Sequence, residues 1–227
     1  SSDFKKIVKS IKVAKPDVIL NTINGDSNIA FFKLLRLDCI SSKKIPTISF
    51  SISEEEISDL KIETVLGDYA VWNYFQSIET KANKKFVARF KAKYGNDRVT
   101  NDPIEATYAA VHLFARAVKI AGSDEPEKIR AALGSASFQS PEGTLRIDPA
   151  TQHISRHVRI GKIDIDGQFE IMWDSKKTIV AKSFPNDLSV EKWNQFINDL
   201  YVGWGEKWSN TESIASDVVD KTLLALY

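Results

Sequence analysis

The residues best suited to chemistry fall in two short segments. Asn21-Thr22-Ile23-Asn24-Gly25-Asp26-Ser27 and Ser51-Ile52-Ser53-Glu54-Glu55 crowd hydroxyl, amide and carboxylate side chains together. Such groups hold a small polar solute by donating and accepting hydrogen bonds. They are also the ordinary residues of a strand-to-helix turn, where they cap free helix N–H groups. Two such segments on one edge of a sheet favour a shared site over two unrelated caps.

Catalytic chemistry is harder to assemble. His153 and His157 stand four apart, a metal-binding spacing on a helix, but Gln152-His153-Ile154-Ser155-Arg156-His157 reads as a loop ahead of a strand. His112 lies inside a helical stretch. Cys39, the single cysteine, can form no intrachain disulfide and is expected to be a small buried residue. Glu54-Glu55-Glu56 could supply a carboxylate pair for acid–base work, yet acids in a first helical turn answer to the helix dipole. The sequence contains no Walker loop, dinucleotide fingerprint or G-x-S-x-G elbow. The expectation is a binding protein with no catalytic residue, no metal ligand and no cofactor.

Composition points the same way. Lys and Arg number 31 against 30 Asp and Glu, a formal charge of +1, which argues against a nucleic-acid partner. The 227 residues, 43% of them hydrophobic, suffice for a real core. No apolar run reaches the roughly 18 residues of a membrane span, so no direct membrane insertion is expected. The chain opens at Ser1 without a Met or a signal-peptide pattern and is read as processed or cut from something longer.

The elements that must position the two polar segments follow from periodicity. Phe4, Ile7, Val8, Ile11 and Ala14 recur at helical spacing behind an N-cap at Asp3, and Pro16 ends that helix. A strand over 17–22 turns through Asn24 to Ser27 into a helix carrying Ile29, Phe32, Leu35 and Arg36. A strand over 47–51 leads to Ser53 and Glu56, whose spacing is that of a capping box, and a further strand covers 69–75. This alternation predicts a parallel sheet with helices on both faces, and ligands collect outside the carboxyl ends of its strands. Both polar segments lie there.

Helices are expected over 83–94, with Phe86, Val87 and Phe90 inward, and from an N-cap at Asp102 through Tyr108, Val111, Ala115 and Val118 to Gly122. A shorter one follows Asp124 and stops at Gly134. Residues 158–174 predict a hairpin. A three-residue loop, Ile165-Asp166-Gly167, pairs Ile163 with Phe169 and Lys162 with Glu170, keeping the apolar residues on one face. Beyond residue 183, Trp193, Phe196, Ile197, Leu200, Tyr201 and Trp204 form one helical stripe, which reads as a packing or docking surface.

Four stretches carry a family resemblance. Lys15-Pro16-Asp17-Val18-Ile19-Leu20-Asn21-Thr22-Ile23-Asn24-Gly25-Asp26-Ser27-Asn28 is one, and Ser49-Phe50-Ser51-Ile52-Ser53-Glu54-Glu55-Glu56 is the second. Trp72-Asn73-Tyr74-Phe75-Gln76-Ser77-Ile78 and Pro141-Glu142-Gly143-Thr144-Leu145-Arg146-Ile147-Asp148 complete the set. Together, over residues 3–174, they resemble the type I periplasmic binding proteins, in particular the urea and short-chain-amide branch of the branched-chain amino-acid receptor family. The resemblance implies a periplasmic or extracytoplasmic two-lobed protein that closes on a small solute and delivers it to an ABC permease. It places Asn24, Asp26, Ser51 and Ser53 in the cleft, with Tyr74 near a hinge crossover as a further candidate. The implied ligand is urea or a short-chain amide, with an amino acid left open.

The same resemblance assigns residues 1–73 to part of the second lobe. Residues 74–182 become part of the first lobe with hinge-crossing segments and a hairpin, and 183–227 an aromatic helical extension. About half of a complete binding protein is absent, so the first lobe is incomplete. The aromatic extension also resembles the region where such domains are fused ahead of a membrane anchor in sensor kinases or cyclases, which makes ligand sensing the alternative to transport.

Overall fold

A computed structural model describes residues 4–180, 182 and 188–208. The expected N-cap Asp3 lies outside the described residues, as do the parts of the aromatic extension at 183–187 and 209–227. The chain divides into two compact units, Ser1–Ala181 and Lys182–Tyr227.

The first unit begins with the predicted alternation. Helix α1 (Phe4–Ala14) leads to strand β1 (Ile19–Asn21), helix α2 (Ser27–Leu37) and strand β2 (Thr47–Ser49). Then come the short helices α3 (Glu54–Asp59) and α4 (Ile62–Val65) and strand β3 (Tyr69–Trp72). These three strands are parallel, with Asn21 level with Ser49 and Ser49 with Ala70. Phe4 and Val8 of α1 and Phe31, Phe32 and Leu35 of α2 are buried with Ile19, Ala70, Phe75 and Phe169 in one core. The stripes differ from expectation by single residues: Ile7 and Ile29 are exposed, and Phe31 takes the inward place. Cys39 is exposed rather than buried, because the chain turns out of α2 there with a φ of 60°.

The chain then leaves the sheet. Helices α5 (Lys81–Tyr94), α6 (Asp102–Ala121) and α7 (Pro126–Leu133) precede a small antiparallel sheet of β4 (Ser137–Ser140), β5 (Gly143–Ile147) and β6 (Ile154–Ser155). Sequence reading misses this small sheet, since its strands are only two to five residues long. The N-cap of α6 is Asn101 rather than Asp102: the Asn101 side chain accepts from the Ile104 N–H at 3.1 Å. The inward face of α6 is also shifted, to Ala109, Leu113 and Ala117, leaving Val111 and Ala115 exposed. Those three residues pack with Ile129, Phe138, Leu145 and Ile147 in a second core.

Strands β7 (Arg159–Ile163) and β8 (Phe169–Asp174) return to the large sheet, whose order is β1-β2-β3-β7-β8. Both pairings, β3 with β7 and β7 with β8, are antiparallel, so the sheet is mixed and not all-parallel as expected. The tight hairpin makes β8 antiparallel to β7, and the chain re-enters the sheet beside β3 running in the opposite direction. The hairpin has the predicted register, Lys162 opposite Glu170 and Ile163 opposite Phe169. Gly167 takes the left-handed position, φ 76°, and its N–H closes on the Asp164 carbonyl at 3.1 Å. The sheet thus contains strands from both sides of residue 73, where the sequence suggested a domain division.

In the second unit, α8 (Val190–Gly203) is capped by Ser189, whose side chain accepts from the Lys192 N–H at 3.3 Å. None of its residues is buried.

Candidate solute-binding edge and the crossover cluster

Asn21 organises the first polar segment. Its Oδ1 accepts from the Ile23 N–H at 3.0 Å, while its Nδ2 donates to Asn28 Oδ1 at 2.9 Å and to Ser49 Oγ at 3.1 Å. Asn28 in turn donates to the carbonyls of Ile23 at 2.7 Å and Gly25 at 3.2 Å. Both asparagines are buried, so every one of these bonds replaces a lost water contact. The turn between β1 and α2 is therefore held from inside and presents Asn24 and Asp26 outward, both exposed.

The second segment is tied to the first. Phe50 N–H donates to the Asn21 carbonyl at 3.0 Å, and Ser51 Oγ donates to the Ile23 carbonyl. Asn24, Asp26 and Ser51 thus share one edge of the sheet, at the carboxyl ends of β1 and β2. Ser53 and Tyr74 are placed differently. Ser53 is buried as the N-cap of α3, where the Glu56 carboxylate accepts from its N–H at 2.8 Å, completing the predicted box, and its Oγ accepts from Asn101 at 3.2 Å. Tyr74 is 0% exposed, with its hydroxyl donating to Asn83 Oδ1 at 2.7 Å and lying 2.8 Å from Thr100 Oγ1. Both are buried rather than facing outward, Ser53 at the start of α3 and Tyr74 against Phe86 of α5.

Glu54 is not the exposed helix-dipole acid that its position suggested. It is 2% exposed, its Oε1 accepts from the Gln76 N–H at 2.6 Å, and its Oε2 has no partner. Burial, opposed only in part by that hydrogen bond, pushes its carboxyl up to about 8. Gln76 extends the link, accepting from the Thr100 N–H at 2.8 Å and donating to Gln168 at 2.9 Å.

A second concentration of charge lies where the chain crosses between the large sheet and the helical part. Arg156 donates to Glu142 at 2.7 and 3.1 Å and to Glu105 at 2.7 Å, and lies 3.3 Å from Asp102. Arg159 donates to Asp174 at 2.7 Å, to the Glu142 carbonyl at 3.2 Å and to the Asn73 carbonyl. Asp102 Oδ1 accepts from the N–H groups of Asn73 at 3.1 Å and Tyr74 at 2.8 Å, which stops β3 at Trp72 instead of the expected Phe75. Burial raises the carboxyls of Asp102, Glu105 and Glu142, that of Glu105 to about 7. Sequence reading missed this cluster because its members lie up to 86 positions apart in bonded pairs and look locally like caps and loop charges. Among the described residues, no group of three or more His, Cys, Asp or Glu is arranged to hold a metal ion.

Known proteins share this architecture. A solute-binding protein of an ABC transporter from Rhodopseudomonas palustris BisB5, solved with 3,4-dihydroxybenzoic acid, superposes with a TM-score of 0.69 at 22% identity, over 80% of this chain and 50% of that one. The leucine-, isoleucine-, valine-, threonine- and alanine-binding protein of Brucella ovis gives a TM-score of 0.68 at 15% identity, over 80% of this chain and 49% of that one. In sequence, Leu/Ile/Val-binding protein homolog 6 of Brucella melitensis is 24% identical over 168 residues, 72% of this chain and 43% of that protein. A Geobacillus stearothermophilus protein named limonene hydroxylase is 34% identical over 129 residues, 57% of this chain but 24% of that protein, too small a share to carry its name across. The chain spans about half the length of these binding proteins. The sequence profile of the periplasmic binding protein domain family matches residues 1–190, and with the shared mixed α/β fold this shows that the chain belongs to that family of solute-binding proteins.

Proposed function

We propose that this chain is the ligand-edge part of an extracytoplasmic solute-binding protein that captures a small polar solute for an ABC permease. The observation that supports this most is the union of the two polar segments at the carboxyl ends of β1 and β2, locked by Asn21, Asn28 and Ser51. Asn24, Asp26 and Ser51 line the solute side, while Ser53 and Tyr74, both buried, do not face it.

The ligand we propose is urea or a short-chain amide. Neither segment, 21–28 or 49–56, contains a Lys or Arg, and together they carry Asp26, Glu54, Glu55 and Glu56. A carboxylate ligand, such as the benzoates or amino acids of the relatives, is best met by a cationic side chain, and neither segment has one. A neutral amide needs hydroxyl, amide and carboxylate partners, which this edge offers. Calorimetric titration of the chain with urea, acetamide, leucine and 4-hydroxybenzoate tests the choice. Heat on adding acetamide or urea and none with 4-hydroxybenzoate supports it, whereas binding of the benzoate alone overturns it.

The aromatic stripe on α8 favours a second reading, in which the same edge serves a membrane-bound sensor kinase or cyclase. Ligand capture is common to both. A kinase or cyclase domain following this one in the parent polypeptide, with activity that changes on adding the solute, would select the sensor.

A further inference from the structure

The chain passes between the large sheet and the helical part twice, after Trp72 and again before Arg159. Both passages run through the same charge cluster. Asn73 Nδ2 donates to the His157 carbonyl at 2.5 Å, so the two passages also bond to each other directly. Asp102 at the start of α6 holds the first passage by two backbone N–H groups, and Arg156 holds Asp102, Glu105 and Glu142 from the second.

The charges do not balance. Three buried carboxylates surround one guanidinium, and Arg159, 3.8 Å from Glu142, is already engaged by Asp174. Glu105 is 0% exposed, and its Oε1 is buried without a hydrogen-bond partner. A buried carboxylate in that position is most cheaply relieved by a proton.

We propose that the double passage is a proton-sensitive joint, in which Glu105 carries a proton while the joint is tight and, on losing it, repels Glu142 and Asp102 so that the joint loosens. The groups facing Glu105 are Asp102 from its own helix, Ser140 and Glu142 from the β4–β5 hairpin, Arg156 from the second passage and the uncharged Tyr74 hydroxyl from the first. Around them stand Arg159, which meets Glu142 and Asp174, His157, 3.4 Å from Asp174, and Glu54, which bears on Asp102. Burial first, and the Glu142 charge second, hold the Glu105 carboxyl near 7, which puts the change within the neutral range.

The joint is independent of which solute binds, and its test needs none. Side-chain carboxyl NMR of the wild-type chain should show Glu105 titrating near neutral pH. Protection of the Asn73 and Tyr74 amides, corrected for intrinsic exchange, should fall about tenfold from pH 6 to 8, as one carboxyl with that midpoint requires. The Phe50 amide, bonded to the Asn21 carbonyl, should fall by less, in step with the stability of the whole molecule. In Glu105→Gln the fall at Asn73 and Tyr74 should shrink to that at Phe50. Titration of Glu105 below about pH 5 would overturn the proposal, as would equal pH dependence at Phe50 or an unchanged fall in Glu105→Gln. If that variant does not fold, the wild-type titration and exchange decide.

Discussion

Arg156 reaches three buried carboxylates on two segments, Asp102 and Glu105 of α6 and Glu142 of the β4–β5 turn, and is the cation nearest to each. Arg156→Ala should therefore lower stability by about 3–5 kcal/mol, read as a drop in the urea midpoint. Arg156→Lys should recover only part of the loss, because an ammonium cannot fork onto two carboxylates at once. Lys12→Ala, which removes an exposed pair with Asp38, should leave the midpoint where it is. The sequence announces Asp102-Pro103-Ile104-Glu105 as a helix start, and a helix does start there, one residue behind its true cap Asn101. It does not announce that the Asp102 carboxylate turns back onto Asn73 and Tyr74, because those residues, 28 and 29 positions away, meet it only in the fold. The same holds for Glu54: its first-turn position is local and legible, while its burial depends on Gln76 arriving from the crossover.

At the scale of elements, the polar edge depends on Asn21 more than on the residues it displays. Asn21→Leu leaves Asn28, Ser49 and the Ile23 N–H short of partners and should cost about 1–3 kcal/mol in a denaturant titration. Asn24→Ala, at an exposed position, should leave stability within about 0.5 kcal/mol and affect only solute binding. The hairpin gives a different test. Gly167→Val forces a β-branched residue to a φ of 76° and should cost about 1–2 kcal/mol. Its register was legible because only one loop length places Ile163 and Phe169 on one face. The antiparallel direction of β7 against β3 was not, since nothing in 159–163 encodes which strand it will meet.

For the whole molecule, pH is the direct probe of its buried acids. Glu54, Asp68 and Glu105 have carboxyls raised to about 8, 6 and 7, each first of all by burial. A carboxyl raised in the folded state stabilises fully below its unfolded value, near 4.5 for a glutamate, and loses that contribution as pH rises through the folded value. The melting temperature should therefore fall from about pH 5 to about pH 8, and Glu105→Gln should remove part of that slope. At the same scale, the chain spans about half the length of its binding-protein relatives. Amide chemical-shift mapping tests the proposed solute edge even where binding is weak. On adding acetamide to the labelled chain, we expect shifts concentrated in residues 21–28 and 49–54, with smaller ones for Asp26→Ala. Shifts confined to other parts of the chain, or none at all at saturating acetamide, would contradict the assignment of this edge as the solute site.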